Sequence, residues 1–305
     1  MVTIAVEPAT RPAMHDAFVA AVRAAGATVG PLADADALIW ADPQRAAFFP
    51  ELIRDAKRVR WIQLPYAGIE PFADYLDERF VWTCGKGVYA PPVAEHALAL
   101  ALAGLRHVGV YARADRWLAP AGRNLIGGRV LILGGGGITA SLIALLEPFD
   151  CDITVFRHHD VAVGASRVIT ERHQLDAALP AADVVVIALA LTAQTRGIVD
   201  RGFLSRMATH AWLINVGRGA HVVTDDLVAA LRDQRIGGAA LDVTDPEPLP
   251  LGHPLWSLPN CIITPHIANT PVMGLPLIAA RVQENTARFL AGESLIGLVD
   301  VRLGY

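Results

Sequence analysis

The chain has 305 residues, too many for one hydrophobic core, since cores seldom grow past about 250 residues before splitting, and two domains are expected. Hydrophobic residues make up 53% and charged residues 18%, which supplies apolar material for buried parallel strands and excludes a disordered chain. A net charge of −4 with both signs interspersed offers no basic face for nucleic acid or anionic lipid, so the expected partner is a small molecule.

Met1 to Arg11 lacks the basic and apolar segments of a signal peptide and reads as a short strand, Val2 to Val6, with a turn. Met14 to Ala25 follows as an amphipathic helix. Ala37 to Trp40, Val59 to Leu64 and Phe80 to Thr83 are further short apolar runs, spaced widely enough for helices between them. The N-terminal third is therefore expected to be a small α/β layer. Pro91 and Pro92 suit a first helical turn, and the Ala- and Leu-rich run Val93 to Tyr111 is expected as one long helix bridging two domains. A loop with Asn124, Gly127 and Gly128 leads into strand Val130 to Leu133, a glycine run and a helix to about Glu147.

Strand candidates recur at Asp152 to Phe156, Val184 to Ala188, Trp212 to Val216, Ala239 to Val243 and Cys261 to Thr264, with helical stretches between the first four. Alternation of this kind specifies a parallel, doubly wound sheet. The last helix, Val272 to Leu290, contains Pro276, which is expected to break its first turn, and it returns to the first domain. No apolar run is long enough to span a membrane. Cys84, Cys151 and Cys261 are far apart with no paired spacing, which suggests neither a disulfide framework nor a zinc site and fits a reducing cytoplasm.

The run Val130-Leu-Ile-Leu-Gly134-Gly-Gly136-Gly137-Ile138-Thr139 follows a strand and opens a helix, the context of a dinucleotide-binding turn. There one glycine permits the tight turn, another lets backbone approach the pyrophosphate, and the helix N-terminus supplies N–H groups for the anion. Two registers fit, Gly134-x-Gly136-x-x-Thr139 and Gly135-x-Gly137-x-x-Ala140. The first is preferred because it places Ile138 within the helix, although Thr139 then replaces a packing glycine. At the end of the next strand, where an NAD site usually holds an acid, stand Arg157 and His158. A cation there suits the extra phosphate of NADP, with NAD as the alternative cofactor.

Three later segments carry a family resemblance: Leu213-Ile-Asn215-Val-Gly217-Arg218-Gly219-Ala220, Ala240-Leu-Asp242-Val-Thr-Asp-Pro-Glu247-Pro248, and Ile263-Thr-Pro265-His266-Ile267-Ala268. In order and spacing they resemble the signature blocks of the D-isomer-specific 2-hydroxyacid dehydrogenases, among them the glyoxylate/hydroxypyruvate reductases. Leu191-Thr192 through Thr195-Arg196-Gly197 and Ala94-Glu95-His96-Ala97 agree. Reduction of a 2-keto acid needs a cation for the carboxylate and carbonyl, a proton donor for the nascent alkoxide, and a group that holds the donor in place. Arg218, between two glycines, suits the first role; His266 suits the second, since imidazole titrates near neutral pH; and Glu247 suits the third, with Asp245 in the same segment as the alternative.

The resemblance further implies that Asp242 lies near the nicotinamide carboxamide, that Asn215 and the backbone at Leu189 and Thr195 line the cofactor, and that Tyr66, Ala67 and Gly68 form a substrate loop. Ala190 and Thr244 depart from residues common in the family. Glu95 and His96 are read as packing residues at the domain junction, and no metal site is implied. The expected fold is α/β: a Rossmann-type dinucleotide-binding domain, residues 100–271, and a smaller flavodoxin-like substrate domain formed by both termini, residues 1–99 and 272–305, with a cleft between them. The resemblance implies a cytoplasmic homodimer that transfers hydride between NADP(H) and a small 2-keto or 2-hydroxy acid. A nicotinamide-nucleotide sensor or co-repressor of the same fold, and an enzyme acting on formate or phosphite, are the rival readings.

Overall fold

The computed structural model describes residues 2–54 and 56–302; Met1 and Tyr305, at which the sequence reading opens and closes, lie outside them. Two units emerge, Met1–Tyr89 with Thr270–Tyr305, and Ala90–Asn269. The smaller contains β1 (Thr3–Glu7), α1 (Pro12–Ala24), β2 (Thr28–Val29), β3 (Ala37–Trp40), α2 (Phe49–Ile53), β4 (Trp61–Gln63) and β5 (Val81–Thr83). Its strands pair in parallel in the order β2-β1-β3-β4-β5, the flavodoxin-like order.

The larger unit opens with α3 (Ala90–Leu105) and α4 (Val108–Ala112). It continues through β6 (Arg129–Leu133), α5 (Gly137–Leu146), β7 (Asp152–Phe156), β8 (Arg167–Ile169), α6 (Arg172–Ala178) and β9 (Val184–Ile187). The remaining elements are α7 (Arg201–Arg206), β10 (Trp212–Asn215), α8 (Thr224–Arg232), β11 (Gly238–Leu241) and β12 (Cys261–Ile263). Its parallel sheet runs β12-β11-β10-β9-β6-β7-β8, a doubly wound Rossmann order extended by one strand.

Alternate side chains of this sheet feed two separate cores, which is why its strands read as unbroken apolar runs. Leu131, Leu133, Val185, Ile187 and Leu213 face Leu175, Phe203 and Leu227 of α6, α7 and α8. Val130, Ile132, Val184, Val186, Trp212 and Ile214 face Ala94 and Ala97 of α3 and Leu142 of α5. Helix α3 thus belongs wholly to the larger unit, and the boundary falls at Tyr89, before the helix, instead of at residue 99 within it.

Local structure departs from the sequence reading in three further places. The long helix does not reach Tyr111: the Leu105 carbonyl accepts the Arg123 N–H, His107 turns left-handed at φ 53°, and α4 restarts from the His107 carbonyl. The short edge strands β2 and β8 carry too few residues to show a period. The last helix, α9 (Pro271–Ala291), runs unbroken through Pro276. Pro276 removes the N–H that would pair with the Val272 carbonyl, and Val272 is exposed, where water serves instead.

A buried polar chain ties α9 to β4 and β5. The Trp61 indole donates to Thr83 (2.8 Å), whose hydroxyl donates to Gln63 Oε1 (2.9 Å), which also accepts from Asn285 Nδ2 (2.8 Å). Asn285 further bonds both the carbonyl and the N–H of Ile296. All four side chains are fully buried, so losing one member strands the others away from water. Asn285→Leu is expected to lower the unfolding free energy by about 2–4 kcal/mol in urea titrations. Arg288→Ala, which removes the exposed pair with Glu284, is expected to change it by less than about 1 kcal/mol.

Candidate active site

Arg218 sits on a turn after β10 that a buried amide holds in shape. Asn215, fully buried, accepts the Gly217 N–H at Oδ1 (3.1 Å) and donates from Nδ2 to the Arg218 carbonyl (3.0 Å). Asn215 therefore shapes the arginine turn through both polar atoms of its side chain. The guanidinium is half-buried and donates to the Gly217 carbonyl (2.9 Å). A Cβ at Gly219 would overlap the Thr244 carbonyl, so only glycine lets this turn press against the loop after β11. That loop carries Glu247.

Asp242, at the end of β11, is 2% exposed. Its Oδ1 accepts the Thr264 hydroxyl (2.6 Å) and the Ile267 N–H (2.9 Å), its Oδ2 accepts the Ala268 N–H (3.0 Å), and its main-chain carbonyl accepts the His266 N–H (2.8 Å). One residue thus fixes the segment after β12 on both sides of His266. His96 of α3 completes the cluster, with Nε2 2.9 Å from the Thr264 hydroxyl and 3.3 Å from Asp242 Oδ1. His96, read from sequence as a packing residue, is in fact part of the site's support. Burial pushes the Asp242 carboxyl up, but the hydrogen bonds from His96, Thr264, Ile267 and Ala268 outweigh it and hold the pKa at about 2.

His266 itself adopts φ 53°, a left-handed conformation that costs a non-glycine residue about 1–2 kcal/mol and that the Asp242 contacts stabilise. Its Nδ1 lies 2.6 Å from Glu247 Oε1, and because a carboxylate only accepts, Nδ1 carries the hydrogen. The ring is 52% exposed, which leaves Nε2 open to a ligand. The other Glu247 oxygen accepts the Thr244 N–H at 3.4 Å. Arg218, Glu247 and His266 therefore stand on three adjoining loops at one end of the sheet.

The glycine run meets the geometric needs of a dinucleotide. Gly134 has φ 112°, and a Cβ there would overlap the Ala188 carbonyl, whereas nothing lies within 4 Å of the Cβ position at Gly136. The first glycine of the preferred register is therefore the constrained one. Gly136 caps α5 with extended backbone, and Gly137 and the half-buried Ile138 form its first turn. Thr139, the substitute for a packing glycine, is fully buried and donates its hydroxyl to the Gly134 carbonyl (2.8 Å). Arg157 follows β7, lies across Gly135 and donates to the Val161 carbonyl (2.9 Å), and exposed His158 stacks edge-on with His159.

The loop after β9 is closed by Thr195, whose hydroxyl donates to the Ala190 carbonyl (2.7 Å) and accepts the Thr192 N–H (2.8 Å). The Leu189 carbonyl lies 3.3 Å from the Cβ position of Gly217, so this loop and the arginine turn abut. In the smaller unit Tyr66, Ala67 and Gly68 form the turn after β4, with the exposed Tyr66 ring edge-on to Tyr89 and the Tyr66 carbonyl accepting the Gly85 N–H.

The low Asp242 pKa makes stability depend on acid. The folded value of about 2 lies below the 3.8 of an unperturbed aspartate, so the contribution, about 2 kcal/mol, is present above pH 5 and lost as pH falls through 2. Urea titrations at pH 6 and pH 3 are expected to show the advantage of the wild type over Asp242→Asn narrowing by roughly 1 kcal/mol at the lower pH. An unchanged gap would remove the clamp's electrostatic basis.

Residues 97–268 match the model of the D-isomer specific 2-hydroxyacid dehydrogenase NAD binding domain. An uncharacterized protein of Corynebacterium melassecola, from the proB 3′ region, is 37% identical over 84% of this chain and 86% of its own length. Glyoxylate/hydroxypyruvate reductase A of Serratia proteamaculans is 29% identical over 88% and 87%. Among solved structures, a D-isomer specific 2-hydroxyacid dehydrogenase of Xanthobacter autotrophicus Py2, in complex with NADPH and MES, aligns with 100% of this chain and 99% of that one, at a TM-score of 0.85 and 26% identity. With its glycine turn and its Arg218, Glu247 and His266 loops in place, this chain belongs to the D-isomer specific 2-hydroxyacid dehydrogenase family of oxidoreductases.

Proposed function

We propose that the chain reduces a small 2-keto acid of the glyoxylate or hydroxypyruvate type, with NADPH as the preferred cofactor. The observation that carries this reading is the His266–Glu247 pair, 2.6 Å apart, with Glu247 on the loop against which the Arg218 turn is packed. A nicotinamide cofactor bound at the glycine turn would supply the hydride that the keto carbon takes up. Arg218 pairs its fork with the substrate carboxylate and draws charge toward the carbonyl oxygen. His266 delivers the proton from Nε2 to that oxygen, while Glu247 fixes the ring and offsets its positive charge. In the reverse direction the same nitrogen takes the proton from the hydroxyl. Similarity to a relative named glyoxylate/hydroxypyruvate reductase A supports the substrate class. We assign Tyr66, Ala67 and Gly68 to the substrate on the sequence resemblance.

The preference for NADP rests on Arg157, the first residue after β7, and is supported by the NADPH in the Xanthobacter structure. Gly134, Gly136, Gly137 and Ile138 are assigned to the pyrophosphate, His158 to the neighbourhood of the extra phosphate, and Leu189 and Thr195 to the cofactor wall. Asn215 and Asp242 serve that wall by holding its turns. The family resemblance also supports a homodimer, tested by light scattering of the purified protein, and the three free thiols suit a cytoplasmic setting.

The deciding experiment follows absorbance at 340 nm as NADPH is mixed with a panel of 2-keto acids. Turnover of glyoxylate or hydroxypyruvate is expected, and His266→Gln is expected to lower kcat by about 10²–10⁴ with NADPH affinity nearly unchanged. Cofactor binding without turnover on any member would favour a nucleotide sensor, and oxidation of formate or phosphite in the reverse direction would move the chain to a different substrate. Arg157→Ser is expected to raise KM for NADPH about tenfold, roughly the worth of one charge-assisted hydrogen bond, and to leave KM for NADH unchanged. A wild-type preference for NADH overturns the Arg157 assignment.

A further inference from the structure

His221, three residues beyond Arg218, is fully buried. Its ring lies beneath the arginine turn, where a Cβ on Gly217 would come within 3.2 Å of it. Nδ1 is 3.1 Å from the Arg218 N–H donor and 3.0 Å from the Arg218 carbonyl, and Nε2 is 3.3 Å from the Ala190 carbonyl. That carbonyl also accepts from Thr195. The imidazole therefore spans the gap between the arginine turn and the loop after β9.

The surrounding groups select one form of the ring. With the hydrogen on Nε2, the ring donates to Ala190 and accepts the Arg218 N–H, while the Arg218 carbonyl, to which Nδ1 then cannot donate, keeps its bond from Asn215 Nδ2. With the hydrogen on Nδ1 alone, two lone pairs face each other across the Nε2–Ala190 contact and the Arg218 N–H meets another donor. A ring protonated at both nitrogens likewise deprives the Arg218 N–H of its acceptor. It also places a buried cation beside the charged groups that face it, Arg218 on its own turn and Arg196 on the neighbouring loop. Burial, with the two cations adding to it, outweighs the hydrogen bonds to the Ala190 and Arg218 carbonyls that would raise it, and holds its pKa below the ordinary histidine value.

We propose that His221, as the neutral Nε2–H tautomer, is a positioning residue that sets the backbone of Arg218 and ties it to the Ala190 carbonyl. The inference rests on the reading of Arg218 as the group that holds the substrate carboxylate. The ring fixes where the guanidinium stem begins, and a bidentate carboxylate contact tolerates little displacement of that origin. Since Ala190 keeps its bond from Thr195, the cofactor loop is expected to tolerate loss of the ring better than the arginine turn does.

The test compares steady-state constants of His221→Leu, His221→Gln and His221→Asn at saturating NADPH, with Arg218→Ala as reference. His221→Leu and His221→Gln are expected to raise KM for the keto acid about tenfold, the worth of one buried hydrogen bond, while the dissociation constant for NADPH, read by fluorescence, moves less than threefold. His221→Asn, which places an acceptor where Nδ1 stood, is expected to recover most of that loss. Equal losses in the Asn and Gln variants, or none in either, would overturn the proposal. If Arg218→Ala itself leaves the keto-acid KM unchanged, the reading of Arg218 fails instead. Nitrogen-15 NMR of the wild-type histidines gives a check that needs no variant: an unprotonated Nδ1 and a protonated Nε2 are expected for His221 at neutral pH, and either other form would overturn the proposal.

Discussion

The reactive end of the larger unit depends on where one buried carboxylate sends its lone pairs. Asp242 reaches three groups of the segment Thr264–Ala268 with its side chain and a fourth with its main chain, and His266 lies in the middle. A loop held at so many points has little freedom, so a left-handed histidine is sustained against its intrinsic cost. The His266 imidazole is then oriented twice, by its backbone through Asp242 and by its ring through Glu247. A buried charge thus sets the geometry of an exposed ring on the loop past the strand end.

The sheet supplies the same economy at larger scale. Its order reverses between β6 and β9, and the loops that leave those two strands diverge to opposite faces, which opens the crevice where dinucleotides bind in doubly wound folds. Gly134 leaves β6 so close to Ala188, after β9, that no side chain fits between them. From that point toward the other edge, the loops after β9, β10, β11 and β12 carry Thr195, Arg218, Glu247 and His266 in turn. The glycine turn and His266 therefore share one edge of the sheet, and each loop braces the next: Ala190 against His221, Gly219 against Thr244, Asp242 against Thr264.

Much of this was legible in the sequence, and what was not has physical causes. Apolar runs such as Val184 to Ile187 announced buried parallel strands because both faces are covered. The placing of Arg218, Glu247 and His266 on neighbouring loops was legible because each stands past a strand end beside small or rigid residues, and that setting survives in the spelling. His96 was not, because its partner Thr264 is 168 positions away and an Ala/Leu helix gives no hint of a polar contact. His221 was hidden for the opposite reason: three residues past Arg218 it resembles one more turn residue, and its burial against Gly217 and the Ala190 loop has no signal in the spelling. The end of α3 at Leu105 depends on Arg123, which no helical period reveals.

The chain of hydrogen bonds from Trp61 to Asn285 also joins segments that are synthesised far apart in time. Residues of the larger unit are contiguous, so it has all its parts once the chain has been synthesised through Asn269. The strands of the smaller unit precede the larger unit and α9 follows it, so the bond from Asn285 to Gln63 is the one link of the polar chain that spans both segments. Domains fold in general as their residues emerge, N-terminal ones first. Here the smaller unit is split around the larger one, so the face of β1 and β3 formed by Ile4, Val6, Ala37 and Ile39 packs at once on α1 but gains Ile278 and Val282 of α9 only after the larger unit has been made.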